Sequence, residues 1–322
     1  MRIPEEVSYI IGKLRESGEE AYAVGGCVRD TLLGRDPMDW DITTSARPEK
    51  VKELFRRTID TGLQHGTVTI MIDDTGYEVT TYRVDGEYED HRHPKEVVFT
   101  PNLEEDLKRR DFTINAMAYN EKTGIVDLFH GQEDLEAGVI RAVGIPSERF
   151  QEDALRMLRA IRFAGQLGFQ IEEQTKGAMV ELAPTLCHVS AERIQVEMKK
   201  LLVSKEPYLL ATAKDVGLCN VFFPEFIQMM NTEQNNPHHC YCVGMHTLHA
   251  IEEVNLLSGK LDAKKRTILA FAALLHDVGK PFVKTTDAKG IDHFYDHEKN
   301  GSDLAKKILH RWKLDKIGRA HV

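Results

Sequence analysis

Cysteines and long apolar runs are scarce in this sequence. Its 322 residues include five cysteines, Cys27, Cys187, Cys219, Cys240 and Cys242. So few cysteines, odd in number, do not suggest a disulfide framework, which indicates a reducing compartment. No apolar run approaches the roughly 18 residues that a membrane-spanning helix needs, and the first residues lack the pattern of a signal peptide. We therefore expect a cytoplasmic protein that does not act in a membrane.

Positive charge is also in short supply. Lysine and arginine number 42, against 51 aspartates and glutamates, so the formal net charge is −9. This deficit argues only weakly against a nucleic-acid partner, because phosphate binding needs only a local basic strip. With 42% hydrophobic and 29% charged residues, the composition is that of a globular protein, and the length favours two domains or one large one.

Strands and helices mix in the first part of the chain, whereas helices dominate the second. An amphipathic helix is predicted within 1–20, and strands at 66–72 and 77–84 are predicted to form a hairpin. From about residue 150 the strand signals stop, and helices are predicted at 150–166, 172–182, 190–203, 206–216, 245–258, 263–277 and 297–312. Boundaries near 145 and 225 divide the chain into 1–145, 146–225 and 226–316.

A glycine-rich turn connects a predicted strand, 21–24, to a predicted helix. Gly25 and Gly26 are followed closely by Arg29. Glycines let the backbone approach a phosphate, and an arginine adds a positive charge there. The turn therefore predicts a nucleotide contact at Gly26 and Arg29, although most paired glycines are ordinary turns.

Two carboxylates, Asp39 and Asp41, flank Trp40 at the start of the next predicted strand. Alternate residues of a strand share a face, so both carboxylates should point the same way. Like charges this close repel unless a cation lies between them, and oxygen ligands suit Mg²⁺. Glu78, on a later strand, is a candidate third acid; an exposed strand glutamate is the equally open alternative.

Six sequence elements, in order, resemble one enzyme family. They are GGCVRD at 25–30, DWD at 39–41, EVTTYR at 78–83, RRDFTINAM at 109–117, EDALRMLRAIRF at 152–163 and SAERIQVEMKK at 190–200. The set resembles the class II tRNA nucleotidyltransferases and the bacterial poly(A) polymerases. This resemblance implies an α+β nucleotidyltransferase head of the polymerase-β type, with a mixed sheet and helices, followed by an all-α neck.

The resemblance also implies roles for the acids and arginines of the head. Asp39 and Asp41 would hold Mg²⁺ ions that bind the triphosphate and polarise a primer 3′-hydroxyl, with Glu78 beside them. Arg110, rather than Arg109, would contact the nucleotide. The implied reaction is template-independent addition of CCA to the 3′ end of tRNA from CTP and ATP, with release of pyrophosphate.

An acid and three arginines, Asp153, Arg156, Arg159 and Arg162, recur every third residue on a predicted helix. Each step turns about 300°, so the first three share a face and the last lies half a turn round. A carboxylate accepts from an exocyclic amine and a guanidinium donates to ring acceptors, a pattern that fits cytosine and adenine and not guanine or uracil. We expect these residues to bind the nucleotide and Asp153 with Arg156 to select its base; the alternative is a solvated row of ion pairs.

The polar segment Asp85–Phe99 resembles the flexible loop found in family members that add the final A. It favours complete CCA addition over CC addition. Poly(A) polymerases resemble it closely in the head, so poly(A) addition remains the alternative.

A second chemical pattern lies in the last third of the chain. His246, His276-Asp277 and His297 follow the order of HD-superfamily metal phosphohydrolases, and HDVGKP at 276–281 resembles that family. Imidazoles and carboxylates from several helices suit Mn, Ni, Fe or Zn. The resemblance implies a helical HD domain with a second divalent transition metal. The alternatives are a degenerate HD domain that only holds RNA, or a phosphohydrolase with a vestigial head.

The last six residues, 317–322, match the translation of a common sequencing adapter. We expect them to be foreign to the gene and the HD domain to be truncated. The partners expected overall are the tRNA 3′ end, CTP and ATP, without a stable protein partner.

Overall fold

The computed structural model describes residues 1–85, 97–235, 240–257, 259 and 261–314. The chain divides into two compact units, Met1–Glu152 and Asp153–Val322. In the described residues, no helix combines the length and the apolar character needed to cross a membrane. The boundaries near 145 and 225 stay predictions. The adapter-like tail and residues 86–96 of the loop assigned to addition of the final A lie outside the described residues.

The first unit combines a sheet with helices, which confirms the predicted α+β class. Its elements are α1 Glu5–Glu16, β1 Ala21–Val24, α2 Gly26–Leu32, β2 Ile42–Thr44, α3 Pro48–Leu54, β3 Thr58–Gly62, β4 Thr67–Ile72, β5 Thr75–Thr81, β6 Arg83–Asp85, β7 Val97–Phe99, α4 Leu103–Lys108, β8 Met117–Asn120, β9 Gly124–Asp127, α5 Gly131–Ala137, β10 Val139–Ile140 and α6 Pro146–Glu152. Helix α1 buries Val7, Ile10, Ile11 and Leu14, the face that the 3.6-residue period predicts.

Seven strands form the central sheet in the order β3-β4-β5-β2-β1-β8-β9. The predicted hairpin is β4–β5, with Ile72 opposite Thr75. Strands β2 and β5 pair in parallel, whereas β2 and β1 pair antiparallel. Strand β3 was not predicted, because Thr58–Gly62 is largely exposed and lacks apolar alternation. The parallel pair matters most, because it brings residues 41 and 78 side by side.

The second unit is mostly helical, as predicted. Its elements are α7 Leu155–Leu167, β11 Gln170–Ile171, α8 Glu173–Leu182, α9 Ala191–Leu202, α10 Leu209–Asp215, α11 Cys219–Phe222, α12 Pro224–Met230, α13 Val243–Leu257, α14 Ala263–Leu275, α15 Lys280–Val283, β12 Thr285–Thr286, β13 Asp292–His293 and α16 His297–Arg311. The three strands were not predicted, because two residues are too few to show an alternating pattern.

The helix predicted over 150–166 is interrupted at Asp153. Helix α6 ends at Glu152 and α7 begins at Leu155. The Leu155 backbone N–H donates to Asp153 Oδ1 at 3.1 Å, so the side chain satisfies a free donor of the first turn of α7. The expectation that Asp153 lies on the same helix as the three arginines was therefore wrong.

Candidate functional site

One cavity of the first unit collects the three predicted acids. Its volume is about 440 Å³, and its walls are Met38, Asp39, Trp40, Asp41, Thr75, Gly76, Tyr77 and Glu78. Because Ile42 pairs with Val79 in the parallel β2–β5 ladder, the preceding residues, Asp41 and Glu78, are neighbours across the two strands. The structure thus brings Glu78 to the acid pair.

The acid pair itself does not lie within a strand, contrary to the sequence expectation. Strand β2 begins at Ile42, so Asp39 and Asp41 occupy the segment that leads into it. The Val24 backbone N–H nevertheless donates to the Asp41 carbonyl oxygen at 3.0 Å. The backbone of Asp41 is therefore held against β1, and its carboxylate projects from a fixed position.

Desolvation, together with the like charge of neighbouring acids, raises pKa values in the acid cavity. Asp41 is open to solvent on the cavity side, but protein surrounds it elsewhere. This desolvation raises the pKa of Asp41. The positive charge of Arg110 lowers the pKa, and the negative charge of Asp39 raises it further. Desolvation also raises the pKa of Glu78, followed by the negative charges of Asp41 and Asp39. A cation between the acids would relieve this cost, because it favours their ionised forms.

Arg110 lies at the glycine turn beside these acids. Gly25 has φ of +83° and ψ of −128°, a conformation that L side chains rarely adopt. A Cβ at this position would lie 3.1 Å from Arg110 Nη1. A side chain at residue 25 would therefore strain the backbone and crowd the guanidinium, which explains the glycine.

Asp106, which the sequence analysis missed, anchors both arginines of the RRD element. It is fully buried, and its carboxylate accepts from Arg109 at 2.7 Å, from Arg110 at 3.2 Å and from Thr43 at 3.0 Å. Burial alone would raise the pKa of Asp106, but Arg110 and Arg109 outweigh burial and lower it. The spacing of three and four residues before the two arginines is the signal that could have identified it.

Arg29 is held inside the first unit rather than extended from the turn. Its guanidinium donates to Asp30 at 2.9 Å and to Asn115 at 2.6 Å, and 8% of the residue is exposed. Gly26 lies beside it, since a Cβ there would be 3.7 Å from Arg29 Nη2. Arg29 therefore ties the start of α2 to the RRDFTIN segment.

In the second unit, Asp153 forms a bidentate ion pair with Arg193 of α9. The two N–H···O distances are 3.1 Å to Oδ1 and 2.7 Å to Oδ2. Arg156 lies one turn along, half-buried, with its backbone N–H donating to the Asp153 carbonyl oxygen at 3.0 Å. The sequence did not reveal the Arg193 partner, because it lies 40 residues away.

The two later arginines of α7 contact the same glutamate. Arg162 Nε donates to Glu197 Oε2 at 2.7 Å, and Arg159 lies 3.9 Å from Oε1. Arg162 and Glu197 are each 5% exposed, so Arg162 points into the protein, half a turn from the face of Arg156, as the helical spacing predicts. Its contacts join α7 to α9.

The four predicted HD residues converge around Asp277. His276 Nε2 lies 3.1 Å from an Asp277 oxygen, and the Nε2 atoms of His246 and His297 each lie 3.6 Å from one. Ligand atoms of His246, His276 and Asp277 all lie within 4.8 Å of one another. We call these four residues the histidine cluster.

Backbone contacts orient the rings of the histidine cluster. His276 Nδ1 lies 2.7 Å from the Ala273 carbonyl oxygen, and His297 Nδ1 lies 2.7 Å from that of Phe294. A carbonyl oxygen only accepts, so each Nδ1 carries a proton, and Nε2 is the ring atom that faces Asp277. This is the arrangement that holds metal-binding histidines in one tautomer.

Two further residues, Lys280 and Gly279, lie beside the histidine cluster. Lys280 lies 2.8 Å from Asp277; burial would raise the pKa of Asp277, but hydrogen bonds from His276 and Lys280 outweigh it and lower it. A Cβ at Gly279 would overlap the His297 carbonyl oxygen, so glycine there lets the start of α16 approach. That approach explains the glycine of HDVGKP.

Three family models match consecutive segments of the chain. The poly A polymerase head domain matches residues 21–141, the probable RNA and SrmB-binding site of polymerase A matches 168–230, and the HD domain matches 238–321. The order agrees with the sequence elements, and the first match contains all three cavity acids.

Curated relatives and a solved structure are CCA-adding enzymes. Those of Leuconostoc mesenteroides and Geobacillus kaustophilus are both 56% identical, over 197 and 217 residues. The matches cover 61% and 66% of this chain and 49% and 53% of the relatives, so the chain spans about half their length. The crystal structure of the Bacillus stearothermophilus CCA-adding enzyme in complex with CTP matches with a TM-score of 0.64 and 31% identity, over 97% of this chain and 83% of that one.

The raised pKa values in the acid cavity predict a pH-dependent stability difference. In EDTA at pH 7, Asp41→Asn should unfold at a higher temperature than the wild type, because it removes a charge that the folded state disfavours. The advantage should shrink as the pH falls through the raised pKa, since the wild-type carboxyl then takes up a proton.

Thermal unfolding between pH 4 and pH 8 measures this difference. Glu181→Gln, at an exposed position of α8, is the control and should show little change. An Asp41→Asn protein that is less stable than the wild type at pH 7 would contradict the electrostatic account.

Proposed function

Because the chain belongs to the family of class II tRNA nucleotidyltransferases and bacterial poly(A) polymerases, we propose that it adds C, C and A to the 3′ end of tRNA. The substrates are CTP and ATP, the product released is pyrophosphate, and no nucleic-acid template is used. The observation that carries the proposal is the cavity of three acids beside Arg110 and the glycine turn. We propose that it acts on tRNA in the cytoplasm.

The donor set of the cavity fits Mg²⁺. Asp39 and Asp41 offer carboxylate oxygens, the ligands that Mg²⁺ prefers. Desolvation raises the pKa of Asp41 in spite of Arg110, so a cation bound there would favour the ionised carboxylate. When bound, Mg²⁺ supplies charge neutralisation for the triphosphate and activates the attacking 3′-hydroxyl. Glu78 adds negative charge beside the pair.

The protein's own groups hold the triphosphate. Arg110 donates to it from a position that Asp106 restrains at 3.2 Å, and the backbone at Gly26 permits close approach. Arg29 supports the turn through Asp30 and Asn115. Together these groups stabilise charge and fix geometry, which is the main contribution of a protein to such transfers.

Asp153 and Arg156 read the base. The carboxylate accepts from the exocyclic amine of cytosine or adenine, and the guanidinium donates to the adjacent ring acceptor. Uracil and guanine offer a carbonyl where the amine would be, so they leave buried polar groups unpaired. Arg159 supports the same face, and Arg162 acts through Glu197, which it contacts at 2.7 Å.

Addition assays test the proposed reaction. The protein is incubated with Mg²⁺ and tRNA lacking its 3′ CCA, with each NTP alone and in combination. We expect three nucleotides to be added, C before A, because the base-reading pair fits only these bases. Asp41→Ala should lose at least about a hundredfold in rate, the scale on which removal of a charge-stabilising group acts.

Other products would redirect the proposal. Long A tails would show that the protein is a poly(A) polymerase. Addition that stops after CC would exclude addition of the final A. Full activity in Asp41→Ala would rule out the acid cavity as the catalytic site.

Base selection by Asp153 makes a separate prediction. Asp153→Asn should lower the preference for CTP over UTP by about ten- to a hundredfold, because loss of a charged hydrogen bond costs about 1.5–3 kcal/mol. Arg156→Ala should instead depress CTP and ATP use alike. Single-nucleotide addition kinetics with all four NTPs measure both effects. Slower CTP use with wild-type rejection of UTP and GTP in Asp153→Asn would argue against base reading.

The histidine cluster supports a second candidate activity, metal-dependent phosphoester hydrolysis. The observation that favours it is the pair of Nδ1–carbonyl contacts, which turn the Nε2 atoms of His276 and His297 toward Asp277, where they would coordinate a metal ion. His246 completes the set. A transition metal bound there would supply an activated water.

Metal titration tests the second activity without relying on turnover. The wild type should bind Mn²⁺ or Ni²⁺ at the histidine cluster, and His276→Ala should bind it at least about tenfold more weakly. His310→Ala, at an exposed position near the end of α16, is the control. Equal affinity for the metal in His276→Ala and the wild type would contradict the metal site. Hydrolysis of a 2′,3′-cyclic phosphate by the wild type would support the second activity.

A further inference from the structure

The acceptor capacity of Asp153 is almost fully used within the protein. Its two oxygens offer about four lone-pair positions. Oδ1 accepts from Arg193 Nη1 at 3.1 Å and from the Leu155 backbone N–H at 3.1 Å, and Oδ2 accepts from Arg193 Nη2 at 2.7 Å. One position, on Oδ2, is left for a ligand.

Arg193 is itself part of a rigid connection between α7 and α9. Four residues further along α9, Glu197 pairs with Arg162 of α7 at 2.7 Å. In the first pair the acid, Asp153, lies just before α7 and the arginine lies on α9; in the second pair the arginine, Arg162, lies on α7 and the acid, Glu197, lies on α9. The buried pair prevents the helices from sliding, so Arg193 holds its carboxylate in a constant place.

We propose that Arg193 is a positioning residue that determines base selectivity. It fixes the plane of the Asp153 carboxylate, so that the remaining Oδ2 position meets one exocyclic amine. This inference rests on the proposed function, in which Asp153 reads the base, and assigns part of the selectivity to a residue that does not touch the nucleotide.

Loss of Arg193 would leave the Asp153 carboxylate free to rotate. The terminal torsion of an aspartate is broad, so without the two-pronged contact the carboxylate could turn and accept a water molecule. A bridging water can donate to the carbonyl oxygen of uracil as well as to Asp153. Discrimination against UTP would then fall, while the amine of CTP could still find an acceptor.

Substitutions of Arg193 test the inference by the ratio of kcat/KM for CTP to kcat/KM for UTP, on tRNA lacking CCA. Arg193→Ala should lower the ratio by roughly tenfold, the effect of weakening one hydrogen bond to a charged group, mainly through a gain in UTP use. Arg193→Lys should fall in between, because an ammonium cannot hold both oxygens. If Arg193→Ala does not fold, Arg193→Gln provides the same test.

A matched control separates positioning from stability. Arg311 of α16 makes a bidentate pair of the same kind with Glu225 of α12, at 3.0 and 2.6 Å, and this pair does not include Asp153. Arg311→Ala should keep the wild-type ratio even if its unfolding temperature falls. A wild-type ratio in Arg193→Ala, or an equal change in Arg311→Ala, overturns the inference alone. No addition of C by the wild type overturns the proposed function and the inference with it.

Discussion

The constraint on which the first unit depends is the cost of bringing Asp39, Asp41 and Glu78 to one cavity, where desolvation of the acids is the larger part and their mutual repulsion adds to it. Folding brings the three carboxylates to one cavity through the parallel β2–β5 pair, and the raised pKa values of Asp41 and Glu78 reflect the cost. Arg110 offsets part of that cost. A site of this charge is suited to divalent cations and a triphosphate, because the cations neutralise the acids and the nucleotide together.

In the second unit, ion pairs hold charged side chains in place. Asp153 with Arg193 and Arg162 with Glu197 connect α7 to α9 at two levels. A buried ion pair adds little net stability, but removing one partner costs about 3–5 kcal/mol. Its contribution here is therefore fixed geometry, which the proposed base-reading role would require.

The residues that chemistry singles out could be found in the sequence, whereas the residues that position them were missed. The convergence of His246, His276, Asp277 and His297 followed from motif order, although the distances did not. Arg193 was missed as a partner because a guanidinium in an ordinary helix carries no mark of what it contacts, whereas Asp106 could have been found from its spacing to Arg109 and Arg110. The break at Asp153 was missed because helix periodicity does not record a side chain that bonds its own backbone.

The central claim is that Asp39 and Asp41 hold the cations that bind the incoming nucleotide, and metal-specific X-ray diffraction tests it most directly. Crystals of the protein grown with Mn²⁺ and CTP would be measured at the manganese absorption edge. The account predicts an anomalous peak in the acid cavity, within about 2.5 Å of oxygens from Asp39 and Asp41. Ordered CTP in the first unit, with no manganese peak at either carboxylate, would contradict it.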